Sequence, residues 1–236
     1  MTGLRTALDV REEEFDTHFS LALALEQRIL EGEASIGETA LSARHLLTMK
    51  SGLIVHLYNI VEAIMNRTIE SIGEAIGQTS PGEWTSHTLR EWLRKNAAIG
   101  VEGSEDSRLE ILHSASILLL QRTPLGNQQL KKPSGTWSDK LIATFAERLQ
   151  VNFQLPEEMW RRIAPRPEFA DKSPMEFLAD RRNAIAHGRR SFEEGANDLT
   201  LARIKELSEV TFSYMGHVAE AFETHVDQQA YVVTEQ

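Results

Sequence analysis

Apolar positions recur at helical spacing along most of the chain. Between Leu4 and Glu31 they fall at Leu8, Phe15, Phe19, Ala22, Leu25 and Ile29, with Gly32 placed to stop the helix. From about Thr39 to Ile76, Leu46, Leu53, Leu57, Ile60, Ile64, Ile72 and Ile76 cover more than one face. That predicts a long, mostly buried central helix ended by Gly77. Thr88 with Glu91 three residues later reads as a capping box for a short helix carrying Trp92 and Leu93. A helix rich in Leu and Ile is predicted over 105–121, and loop from Thr123 to Gly135. Further helices are predicted from Ser138 through Leu149 and from Pro156 through Ile163. Ser173-Pro174-Met175-Glu176 combines an N-cap Ser, Pro at the first helical position and Glu at the third. The helix it starts runs through His187 and stops at Gly188. A last helix spans about Leu199 to Val226. No alternating strand pattern or internal repeat stands out, so the fold class is all-α.

Composition narrows the function classes. The 236 residues suffice for a real core. With no cysteine there are no disulfides, thiolate metal sites or Cys nucleophile. A cytoplasmic location fits that composition. No stretch approaches the roughly 20 apolar residues of a membrane span. The opening Met-Thr-Gly-Leu-Arg runs into acidic residues and does not read as a signal peptide. The net charge of −10 argues against nucleic acid, but its distribution does not. Residues 121–190 carry 13 Lys and Arg against 8 Asp and Glu, a net of +5; the remainder carries 12 against 27, a net of −15. Phosphate binding depends on such local positive charge. A mixed, solvated helix face is the plainer reading of the same numbers.

Candidate chemistry lies in Arg181-Arg182-Asn183-Ala184-Ile185-Ala186-His187-Gly188. Arginine keeps its charge and grips phosphate in a fork; histidine moves protons near neutrality. Asn183 and His187 are four apart and share a helix face. Arg182 and His187 are five apart, about 140° around an ideal helix. One helix splays them, so either the helix distorts or a second surface closes a cleft over both. Glu62, set between Val61 and Ala63, is either a group that positions Arg182 or a helix-face carboxylate. His45 with His56, and His217 with His225, make poor metal sites. The four tryptophans read as core or interface. No phosphate loop or serine nucleophile elbow is present.

The spacing of Arg182 and His187 resembles the Arg-x4-6-His signature of the HEPN superfamily. Three stretches resemble its MAE-type HEPN-like nuclease family. They are Leu57-Tyr58-Asn59-Ile60-Val61-Glu62-Ala63, Ser134-Gly135-Thr136-Trp137-Ser138-Asp139-Lys140-Leu141-Ile142, and Arg182 to Gly188 followed by Ser191-Phe192-Glu193-Glu194. The resemblance implies a HEPN-type helical bundle with additional helices, forming one domain over 1–236. Its core would cover about 39–226, with an irregular tail at 227–236. It also implies a homodimer and a metal-independent endoribonuclease without cofactor, set in toxin–antitoxin modules or anti-phage defence. Arg182 and His187 are then the catalytic residues and Asn183 a supporting one, with Arg181, Arg189 and Arg190 beside them as substrate contacts. The alternative is a catalytically inactive HEPN protein that binds RNA or a protein partner within a defence or toxin–antitoxin complex. Related toxins carry Tyr two residues after the His; here Arg189 stands there. That points to non-covalent restraint by a partner such as a cognate antitoxin, for which Ala230 to Thr234 is a candidate docking strand.

Overall fold

The computed structural model describes residues 3–32, 35–97 and 103–233, and these are overwhelmingly helical. Eight α-helices are found among them: α1 (Leu4–Glu31), α2 (Ala43–Gly77), α3 (Ser86–Asn96), α4 (Glu105–Leu120), α5 (Asp139–Arg148), α6 (Glu157–Ile163), α7 (Pro174–Ala186) and α8 (Leu201–Asp227). The all-α expectation stands, with one addition. Ser35–Ile36 and Thr39–Ala40 pair as a two-stranded antiparallel ribbon, β1 and β2. Gly37 at its turn takes φ +58°, so the long helix begins at Ala43 and not at Thr39.

The described residues divide into two compact units. The first comprises Met1–Ile64, Thr136–Asp139 and Leu155–His217. Its core is built on the apolar stripe of α1, where Leu4, Leu8, Phe15, Phe19, Ala22 and Leu25 are all buried. The Phe15 ring lies 5.7 Å from Phe212 of α8 and 5.9 Å from His56 of α2, so α1 packs against both. Gly32 ends α1 in the left-handed region at φ +77°, where a side chain is disfavoured. At α7 the start signals hold: Ser173 Oγ accepts from Glu176 N at 3.1 Å, and Pro174 is first in the helix.

The second unit comprises Met65–Gly135, Lys140–Gln154 and Val218–Gln236. The start of α3 differs from expectation. Thr85 is the N-cap, its hydroxyl accepting from Thr88 N at 3.2 Å, while Glu91 is buried and ion-paired with Arg148 and Arg94. Glu91 matched the cap spacing but is taken by a partner 57 residues away. Trp84 and Trp92 are buried together at 5.8 Å, and Phe145 meets Phe222 at 5.8 Å. The tail is not a free docking strand as far as it is described. Tyr231 is buried and its carbonyl accepts from Thr85 N at 2.9 Å. Val232 bridges Trp84, and Val233 N donates to Glu83 O at 2.7 Å. Thr234 lies outside the described residues.

The end of α2 shows why small residues sit there. Gly126 N donates to Gly77 O at 3.0 Å and Gln128 N to Gly73 O at 3.1 Å, so the 126–128 loop runs directly along the helix. A Cβ on Gly77 would fall 1.7 Å from Gly126 O, and one on Gly73 1.9 Å from Gln128 O. Backbone cannot yield as a flexible side chain can, and overpacking of this kind costs about 1–3 kcal/mol. Gly77→Ala should therefore lower the thermal midpoint by several degrees, measured by circular dichroism, although alanine is the better helix former. An unchanged or raised midpoint would show that the loop lies elsewhere.

Candidate functional site

Every residue of the motif belongs to the first unit. Four segments meet there: α2 with Tyr58 and Glu62, the 136–139 segment, α7 with Arg181 to Ile185, and the 188–198 loop. The Arg182 guanidinium donates from Nη2 to Glu62 Oε2 at 2.8 Å and lies 4.8 Å from the centre of the Tyr58 ring. Its Nη1 donates to Asn183 Oδ1 at 3.2 Å. Arg182 and Glu62 are 24% and 27% exposed, so the pair is sheltered but open to solvent. Glu62 is ion-paired with Arg182, the contact that the positioning reading of Glu62 requires. Two of the five guanidinium donors are used in these bonds.

Thr136 and Tyr58 complete the frame, and residue-type reasoning did not single them out. Thr136 Oγ1 accepts from Asn183 Nδ2 at 2.8 Å, and Trp137 N donates to the Tyr58 hydroxyl at 2.9 Å. The 136–137 segment is thus tied to both α2 and α7. Burial, with the Glu62 charge nearby, pushes the Tyr58 hydroxyl up to about 12, so it stays neutral beneath the cation. The signal for both residues lay in the blocks that carry the family resemblance, Leu57–Ala63 and Ser134–Ile142, and not in their own chemistry.

His187 is the last residue before the turn. Its N–H donates to Asn183 O at 3.0 Å, and its φ and ψ of −96° and 11° leave the helix. Gly188 follows at φ +69°, and Arg190 N returns to Ala184 O at 3.0 Å. This hook leaves the His187 side chain exposed at the end of α7, at the negative end of the helix dipole. Arg189 is also exposed and, like His187, has no side-chain partner among the described residues.

Arg181 departs from its expected place among the phosphate contacts. It is 8% exposed, forms a bidentate pair with Asp198, donates to Gly195 O at 2.9 Å and stacks 4.7 Å from the Phe177 ring centre. A step of about 100° around the helix turns Arg181 inward where Arg182 faces outward. Arg190 also bonds within the loop, to Glu194 O at 3.1 Å and near Asp198 at 3.6 Å, but stays 39% exposed. Asp198 is therefore the organiser of the segment after the motif. Among the described residues, no group of three or more His, Asp or Glu is placed to hold a metal ion, and no helix is long and apolar enough to cross a membrane.

The architecture is helical, with Arg182 and His187 near the C-terminal end of α7. A family model described as HEPN_MAE_28990-like HEPN matches residues 1–231, and the chain belongs to that family. HEPN domains are helical and commonly have RNA-related roles. No curated protein and no solved structure matches the chain.

The Asp198 clamp generates a test of its own. Arg181 beside it holds the Asp198 carboxyl below the usual aspartate range. A carboxylate depressed on folding contributes stability that is fully present above its unfolded value and is lost as pH falls through the folded one. Asp198→Asn should cost about 1–3 kcal/mol at neutral pH, since it leaves a buried guanidinium short of its charged acceptor. The difference from wild type should shrink as pH drops below the ordinary aspartate value of 3.8, followed by thermal melts across pH. A constant difference across that window would contradict the clamp.

Proposed function

We propose that this protein is a metal-independent endoribonuclease that cleaves RNA by attack of the ribose 2′-hydroxyl. The observation that carries the reading is the held guanidinium of Arg182, steadied by Glu62 and Tyr58 with donors to spare, on the same helix as the exposed His187. RNA brings its own nucleophile. His187 takes the proton of the 2′-hydroxyl as its oxygen forms a bond to phosphorus. The bond from phosphorus to the 5′-oxygen breaks, and that oxygen leaves with a proton. The products are a 2′,3′-cyclic phosphate and a 5′-hydroxyl. Arg182 stabilises the extra negative charge of the phosphorane, and Asn183, fixed by Thr136, keeps Arg182 in register. Arg189 and the exposed part of Arg190 contact flanking phosphates; Arg181 does not.

A second copy supplies the second proton-transfer group. His187 is exposed and has no side-chain partner among the described residues, and a two-fold pairing of α7 helices puts two histidines and two arginines around one cleft. One His187 then acts as base and the other as acid. Such an activity in a cell needs restraint, and the setting that fits is a toxin or anti-phage effector held in check non-covalently by a partner. Arg189, at the position where related toxins carry a modifiable Tyr, removes the covalent route.

The test is cleavage of single-stranded RNA in EDTA. His187→Ala and Arg182→Ala should each lower the rate by ~10²-fold or more, as removal of a positioned base or a charge-stabilising donor does. The helical spectrum should be unchanged and the product end a cyclic phosphate. Cleavage that requires Mg²⁺, or that survives in His187→Ala, contradicts the mechanism. Tight RNA binding without cleavage by the wild type would favour the inactive, RNA-binding reading.

A further inference from the structure

A groove of about 810 Å³ is lined by α1, the β1–β2 ribbon and the first turns of α2, all within the first unit. Its apolar lining is Leu21, Ala24 and Leu25 of α1, Ile36 of β1, Leu41, and Met49 of α2. Leu21 and Ile36 are 62% and 67% exposed, so much of this aliphatic surface meets water. A mostly apolar concavity of about 300–1,000 Å³ with a few polar groups is the usual form of a small-molecule site. No Phe, Tyr or Trp is among the lining residues. A nucleobase would find no such ring to stack on, whereas an aliphatic chain finds side chains of its own kind. The ionisable lining is Arg28, Arg44 and His45 against the single acid Glu193, in a chain of net charge −10. Arg28 has no side-chain partner among the described residues. Ser42 N donates to His45 Nδ1 at 3.0 Å, which leaves Nε2 as the donor of the neutral ring. None of Glu62, Arg182, Asn183 and His187 lines the groove, so what it binds is a separate question from the ribonuclease reading.

We propose that this groove binds a free aliphatic carboxylate of the medium-chain fatty-acid class. The aliphatic side chains take the tail, and Arg28 and Arg44 take the head. From Leu21 to Arg28 the α1 helix advances about 10 Å, which sets the length of tail that fits. The protein itself places a carboxylate at Arg44. Arg44 Nε donates to both Glu193 oxygens at 3.0 Å, and its Nη2 donates to Oε1 at 2.6 Å, so the fork is already matched to that group. The Arg44 and Glu193 side chains are 77% and 41% exposed, and exposed ion pairs are weak, so a ligand carboxylate can exchange with Glu193. A cationic head would meet Arg28 and Arg44 with like charge, and a neutral head would leave the fork to Glu193. Exchange also reaches the motif loop. Glu193 lies five residues after Gly188, in the loop that carries Arg189 and Arg190, and it gives up this tie to α2 when the ligand takes Arg44.

The experiment titrates the full chain with dodecanoate by calorimetry, below the concentration at which dodecanoate forms micelles. Binding should saturate at one molecule per chain, and dodecyltrimethylammonium, a cation with the same tail, should bind at least ten-fold more weakly. Arg28→Ala and Arg44→Ala should each weaken dodecanoate binding several-fold. Glu193→Gln should tighten it several-fold, because it frees the Arg44 fork. Ala24→Trp should fill the groove and abolish binding; Ala24 is exposed, so the helical spectrum and thermal midpoint should persist. His187→Ala should bind dodecanoate as wild type does, which separates this site from the ribonuclease reading. The absence of saturable binding, equal binding of the cationic amphiphile, full binding by a folded Ala24→Trp protein, or an unchanged or weaker affinity in Glu193→Gln would overturn the proposal.

Discussion

The site depends on where one guanidinium is held. Arg182 sits between the Glu62 carboxylate and the face of the Tyr58 ring, both from α2, and is neither sunk in the core nor free in solvent. A long side chain left in water loses rotamer freedom when it grips a phosphate. Here that freedom is given up on folding. Cation–π contacts of this kind contribute about 0.5–2 kcal/mol depending on solvation, and the carboxylate adds a charged hydrogen bond. The guanidinium is thus oriented on folding, which is what the proposed stabilisation of charge in a transition state requires.

Around that group, the surrounding segments act as a frame. Tyr58 is fixed by Trp137 N, the same 136–137 segment fixes Asn183 through Thr136, and Asn183 accepts from Arg182. On the other side of α7, the neighbouring Arg181 turns inward and ties Gly195 and Asp198 to the helix. Gly195 has no room for a side chain, since a Cβ there would lie 2.5 Å from Ser51 Oγ and 2.7 Å from Ile185 Cδ1. Two adjacent arginines therefore divide the labour: one organises the loop, the other faces outward.

Much of this was legible in the chain. Gly32 and Ser173-Pro174 marked helix ends that the structure retains, because caps are local and act through the backbone they flank. Glu62 and Arg182, picked out from the sequence stretches that resemble the family, are in contact in the structure. What escaped were choices made by distant partners. Thr88 and Glu91 had capping-box spacing, but Arg148 recruits Glu91 and Thr85 takes the cap. Arg181 and Arg182 are indistinguishable by type, and only the rotation of α7 against the 195–198 loop separates them. The apolar pattern of α4 foretold a helix but not that its leucines face solvent.

The central claim is that Glu62 acts through Arg182, and it is tested most directly by RNA affinity in a cleavage-dead background. In His187→Ala protein, the affinity for a short single-stranded RNA would be measured at fixed low salt with Glu62→Ala, Arg182→Ala and both together. The account predicts that Glu62→Ala changes affinity several-fold while Arg182 is present and has no further effect once Arg182 is alanine. Changes that simply add, each the same with or without the other, would contradict it.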